Sequence, residues 1–221
     1  MRFSTSSVGR QILVAVSGFF LVLFVIGHLL GNLTIFAGSD VINSYADKLH
    51  RLGPFLWAER LFMLGMLIIH VLFGILLTLE NRTAKPDKYA VDRMLRATFA
   101  GRTMIWTGLL LLLFIVYHLL QFTFHLLPGV VTSTDAGGRF DVFTMVVAGL
   151  RSVPIALVYV AAMVILFLHL SHGVQSIPQT LGWSNDKTRP GFEAAGKGLA
   201  WILLLGYCSI PVAILAGFLS R

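Results

Sequence analysis

VPIALVYVAAMVILFLHLSHGVQSI, residues 153–177, decides the fold. It contains no Asp, Glu, Lys or Arg, and as a helix rising about 1.5 Å per residue it is longer than the roughly 30 Å hydrocarbon core of a bilayer. Outward from it, four more apolar runs occupy residues 11–36, 57–79, 104–127 and 199–219. Inside hydrocarbon only helices and closed barrels satisfy the backbone, and runs without two-residue alternation are not barrel strands. The sequence therefore predicts an all-α integral membrane protein, one domain over residues 1–221, with five transmembrane helices. Composition agrees: 57% of the residues are hydrophobic and 12% charged, against about 25% charged in soluble domains. The first run follows Arg2 and Arg10 as a secretory signal would, but it is too long and no A-x-A site follows, so it reads as a retained span.

The net charge of +7 does not point to nucleic acid, because the basic residues cluster in short segments beside apolar runs. On one side lie Arg2, Arg10, Arg82, Lys85, Lys88, Arg93, Arg96, Arg102, Lys187, Arg189 and Lys197; on the other lie Lys48, Arg51, Arg60, Arg139, Arg151 and Arg221. Eleven against six predicts a cytoplasmic N-terminus and an external C-terminus. Between spans two and three, residues 89–99 read as an amphipathic helix that lies on anionic lipid or serves a cytoplasmic partner. The external segment 128–151, rich in Gly, Ser and Thr, reads as exposed loop. The lone cysteine, Cys208, excludes an internal disulfide, and without C-x-x-C-H there is no covalent haem attachment.

Ionisable groups at membrane depth are costly and mark function. Here they are almost all histidine: His28, His70, His118 and His169 on four successive spans, with His172 one turn beyond His169 and His125 near a surface. Neutral imidazoles without carboxylates suit a metal centre better than a proton relay. At ~1.5 Å per residue, His28 and His118 lie about 25 and 21 Å from the cytoplasmic ends of their helices, whereas His70 and His169 lie about 14 and 12 Å from theirs. In an up-down bundle of the first four helices each pair spans a diagonal at one depth. Two haem b groups with bis-histidine ligation fit that pattern, His28 and His118 holding the one in the outer half of the membrane and His70 and His169 the one in the inner half.

Small residues repeat around these ligands. Ser17-Gly18 precedes His28 as Thr107-Gly108 precedes His118, and Gly74 and Gly173 each follow a histidine by four. All four glycines read as clearance for a flat macrocycle. A single intramembrane histidine is as often a plain interhelical hydrogen-bond partner; four at two matched depths are not.

Gly27-His28-Leu29, His70-Val71-Leu72-Phe73-Gly74, Thr107-Gly108 with His118, and His169-Leu170-Ser171-His172-Gly173 followed by Ser176, Gln179 and Leu181-Gly182-Trp183 together resemble the di-haem cytochrome b subunit of bacterial succinate dehydrogenases and fumarate reductases. The similarity runs from Gly9 into the last span. It implies a multi-pass anchor in the bacterial cytoplasmic membrane that passes electrons between a quinone, menaquinone in most two-haem members, and cytoplasmic partners. Those would be an iron–sulfur subunit and a flavoprotein bearing FAD, the complex also occurring as a dimer. The resemblance also makes the His70–His169 haem the proximal one and the His28–His118 haem the distal one. The family registration, a glycine four residues after the helix-four ligand, favours His169; His172 is the alternative ligand or a propionate contact. An acidic residue beside the distal haem in the family makes Glu59 the candidate for quinone proton transfer, with His50, Arg51 and Arg60 as neighbours. A plain Glu-Arg helix start explains Glu59 nearly as well. Some members carry a glutamate two residues before the helix-four ligand; here that position is Phe167, which puts a side-chain proton wire in doubt. Two other readings compete: the cytochrome b subunit of a hydrogenase or formate dehydrogenase, and a histidine-lined transporter, for which acidic residues beside the histidines would be expected.

Overall fold

The computed structural model describes residues 6–83 and 99–220. Among these are eight α-helices: α1 (Ser7–Leu33), α2 (Ser39–Arg51), α3 (Pro54–Thr83), α4 (Phe99–Arg102), α5 (Met104–Phe122), α6 (Val142–Leu150), α7 (Val153–Thr180) and α8 (Arg189–Leu215), with a 3-10 turn at Thr34–Ala37. No strand occurs among the described residues, only an isolated bridge between Thr134 and Phe140. Helices α1, α3, α5, α7 and α8 are each long and apolar enough to cross a membrane. Five such helices make this a multi-pass membrane protein. Their outer surfaces agree: Leu61, Leu113, Ile202 and Leu205 are each more than 60% exposed, an apolar exterior that suits lipid rather than water. The surface helix expected near residues 89–99 lies outside the described residues apart from its last position.

Local chemistry sets the helix ends. The Ser6 hydroxyl accepts a hydrogen bond from the Gly9 N–H, 3.0 Å, and so caps the start of α1. Helix α3 opens on Pro54 and α8 carries Pro190 in its first turn, where a missing N–H costs nothing. Ahead of α8, the Asn185 side chain accepts from the N–H groups of Lys187 and Thr188, a turn that turns the chain into the helix. The last span therefore begins about ten residues before position 199, where the apolar run starts. Helix α5 is shorter than its apolar run: it stops at Phe122, and His125 takes a left-handed conformation, φ 55°, with its ring stacked 5.5 Å from Phe140.

The chain divides into two compact units, each with a section of all five long helices: one from residues 1–24, 61–109 and 168–200, the other from 25–60, 110–167 and 201–221. In the first, Arg10 of α1 forms an ion pair with Glu80 of α3. The second has an apolar core of Ile35, Ile42, Phe143, Val147, Leu150, Tyr159, Ile210 and Ile214.

That core corrects the reading of residues 128–151 as merely exposed. The segment contains α6, whose Phe143, Thr144, Met145, Val147, Gly149 and Leu150 are buried. Asp141 caps it by accepting from the Thr144 N–H, 3.0 Å. Asn43 of α2, 1% exposed, donates to both Asp135 (3.2 Å) and Asp141 (3.1 Å) and accepts from the Phe143 N–H (3.0 Å). Arg139 pairs with Asp40 and Asp135, each at 2.7 Å, and donates to Ser44. A helix of nine residues is too short to span a bilayer; capped by an acid and tied to α2, it packs into the core. His50, expected in a loop, sits in the last turn of α2.

The clasp is sensitive to acid. The hydrogen bond from Arg139 is the main reason that the Asp135 carboxyl is held down at about 2. A depressed carboxyl stabilises the fold fully above its ordinary value of 3.8 and loses that contribution as pH falls towards about 2. Thermal unfolding of the detergent-solubilised protein should show its melting temperature falling through that window. Asp135→Asn should flatten this acid limb and lower the melting temperature at neutral pH; parallel pH curves for the two proteins would contradict the assignment.

Candidate functional site

Each unit contains one pair of imidazoles from different helices. In the first, His70 of α3 and His169 of α7 have ring centres 6.3 Å apart. In the second, His28 of α1 and His118 of α5 lie 5.9 Å apart. The ring planes cross at 71° and 86° respectively. These spacings have a chemical meaning. With a metal–imidazole bond of about 2.0–2.1 Å and about 1.15 Å from ring nitrogen to ring centre, two imidazoles on opposite sides of one metal have centres roughly 6.4 Å apart.

Hydrogen bonds at Nδ1 orient three of the four rings. His70 Nδ1 faces the carbonyl oxygen of Val14 at 3.1 Å, which can only accept, so Nδ1 carries the proton. The Ser17 hydroxyl lies 3.4 Å from the same nitrogen, its own proton donated to the carbonyl of Leu13, 2.6 Å. His169 Nδ1 meets the Thr107 hydroxyl at 3.1 Å, and that hydroxyl gives its proton to the backbone of Thr103 or Met104. His118 Nδ1 lies 3.2 Å from the phenol of Tyr159, which donates to Gln121 Oε1 at 2.9 Å. The carbonyl partner requires the proton on Nδ1 of His70, and the hydroxyls facing His169 and His118 can accept from the same position, an arrangement that leaves the Nε2 lone pair as the donor for a metal. The supporting groups are sealed, with Ser17 at 1%, Gln121 at 2% and Thr107 at 5% exposure. The four imidazoles themselves are only half-buried.

The glycine repeats take a specific place here. A Cβ at Gly18 would lie 3.0 Å from Cε1 of His70, and one at Gly108 would lie 3.2 Å from Cε1 of His169. Each Ser-Gly or Thr-Gly pair thus serves the histidine of a neighbouring helix: the hydroxyl faces Nδ1 and the glycine lets the ring approach. The room predicted for a macrocycle edge at Gly18 and Gly108 is taken by an imidazole. At Gly74 a Cβ would meet nothing within 4 Å, and at Gly173 only the methyl of Met104 at 3.8 Å, so these two glycines do leave open space.

His172 stands apart from the first pair. Its Nδ1 is 3.3 Å from the amide of Gln175 on its own helix, while His169 is the ring opposite His70. The second pair sits among aromatic rings, with Phe114, Phe122 and Tyr159 within 6.0 Å of His118 and Tyr207 6.3 Å from His28. The Tyr207 hydroxyl is anchored on the carbonyl of Val25, 2.8 Å.

The contacts of the quinone candidates are local ones. Glu59 is exposed and makes no hydrogen bond or ion pair among the described residues. Arg60 lies over the Trp57 ring at 5.2 Å, Arg51 pairs with Asp47 at 2.8 Å, and His50 Nδ1 bonds the Ala46 carbonyl at 2.8 Å.

Among the described residues no three His, Cys, Asp or Glu side chains come together to hold a metal ion. Imidazoles offered in twos suit a macrocycle that brings four donors of its own, and a donor set held at Nδ1 on three of four rings fits bis-histidine ligation of haem b. Tyr159 and Gln121 escape a reading of the sequence, since one tyrosine among many aromatic residues has no periodic signature. The signal available was Gln121 itself, an amide in an apolar run that must find a partner. No family model, curated protein or solved structure matches the chain.

Proposed function

We propose that this chain is the membrane-anchoring, electron-transferring subunit of a succinate:quinone oxidoreductase, with one haem b held by His70 and His169 and a second by His28 and His118. The observation that carries the reading is the spacing of the two imidazole pairs, 6.3 and 5.9 Å between ring centres, with Nδ1 of three of the four rings engaged by a hydrogen-bond partner. Bound haem supplies a one-electron iron couple. The protein's part is to present Nε2 of each ring and to hold ring orientation through Ser17, Thr107 and Tyr159.

The resemblance of the histidine strings supplies the partners: a cytoplasmic iron–sulfur subunit docked beside the proximal haem, and a flavoprotein that interconverts succinate and fumarate on FAD. The excess of lysine and arginine supports the same sidedness, with the N-terminus cytoplasmic in the bacterial inner membrane. Menaquinone or another quinone exchanges electrons at the distal haem, with Glu59, exposed in the second turn of α3, as the group that exchanges protons there.

The test is the intact complex purified through this chain. Succinate added to it anaerobically should reduce b-type absorbance, and a quinone analogue should reoxidise it. Haem reduced by hydrogen or formate instead, with a hydrogenase or molybdenum subunit co-purifying, would overturn the assignment of partner.

A further inference from the structure

The two imidazole pairs are supported by different chemistry. Ser17 and Thr107 are aliphatic hydroxyls locked onto carbonyls of their own helices, 2.6–3.1 Å away. His118 instead leans on a relay between helices, from Nδ1 to the Tyr159 phenol of α7 and on to the Gln121 amide of α5. Tyr159 is 9% and Gln121 2% exposed, so water does not substitute for either. With the amide oriented as it is, Gln121 Oε1 receives the single proton of the phenol, and the phenol oxygen then accepts from His118 Nδ1–H. Gln121 is itself held by the close approach of α6, where a Cβ on Gly149 would lie 3.1 Å from its Nε2.

We propose that Tyr159, polarised by Gln121, is a positioning residue that sets the tautomer and electron donation of His118 and thereby the reduction potential at the His28–His118 pair alone. The inference rests on the haem reading above. A hydroxyl that gives its proton away becomes a better acceptor. A better acceptor on Nδ1–H makes the imidazole a stronger donor at Nε2, which stabilises the oxidised metal and lowers its potential. Among the described residues Nδ1 of His70 and of His169 meets a carbonyl or an aliphatic hydroxyl and no phenol–amide pair, so a change at Tyr159 should reach only the His28–His118 centre.

Optical redox titration of the purified complex reads this directly. In Tyr159→Phe one midpoint potential should rise and the other stay put, with both haems retained. Gln121→Leu should move the same midpoint in the same direction by less. In the Tyr159→Phe background, Gln121→Leu should add nothing, because its effect travels through the phenol. If Tyr159→Phe fails to retain that haem, the Gln121→Leu shift decides. An unmoved midpoint in Gln121→Leu, equal movement of both midpoints, or full additivity would overturn the relay. A wild-type complex without haem would overturn the haem reading itself, a failure distinguishable from haem-loaded variants with unchanged potentials.

Discussion

His70→Ala should halve the haem content of the purified protein, leaving one haem per chain, and His169→Ala should remove the same one. His28→Ala and His118→Ala should each remove the other. The expectation follows from the proposed pairing: the partner ring lies 6.3 or 5.9 Å away, and among the described residues no third His, Cys, Asp or Glu stands beside either pair to hold an iron in its place. His172→Ala should keep both haems, because His172 bonds Gln175 rather than facing His70. Haem content together with difference spectra of the five variants checks this. Loss of one haem from His172→Ala, with retention in His169→Ala, would reverse the ligand assignment.

Under the proposed ligation, Gly18→Val should damage the haem that its own helix does not hold. Gly18 shares α1 with His28, yet a Cβ there meets His70 at 3.0 Å, tighter than ordinary van der Waals contact. Pushing that ring aside also strains its bonds to Val14 and Ser17. Overpacking of this kind costs about 1–3 kcal/mol, roughly one to two powers of ten in occupancy. Gly108→Val should act in the same crossed manner on His169, with its Cβ 3.2 Å from the ring. The surviving haem in both variants should match the one that survives in His70→Ala. Loss of the His28–His118 haem instead would show that these glycines serve the histidine of their own helix.

The sequence made the spans and the four histidines legible for the same reason: hydrocarbon tolerates so few ionisable side chains that every exception stands out. Depth along each helix sorted the histidines into the two pairs found in the two units. What depth could not reveal is which groups turn toward each ring. The Ser-Gly and Thr-Gly repeats were visible, but their service to a neighbouring helix depends on lateral packing that a one-dimensional pattern does not hold. Helix α6 was hidden because Val142–Leu150 is too short to read as a span and lies in a Gly- and Ser-rich stretch. Asp141 directly ahead of the apolar run was the available start signal. For the last span the marker was Pro190, a first-turn proline upstream of the apolar stretch. The Tyr159–Gln121 relay depends on contacts between residues 38 apart in the chain and needs the fold to be seen.

The most direct measurement is haem quantity and spin state in the purified chain, from a pyridine haemochrome assay with low-temperature electron paramagnetic resonance of the oxidised protein. The account predicts two protohaems per polypeptide, both low-spin with two nitrogen axial ligands. A colourless protein, or iron in high-spin five-coordinate form, would contradict it.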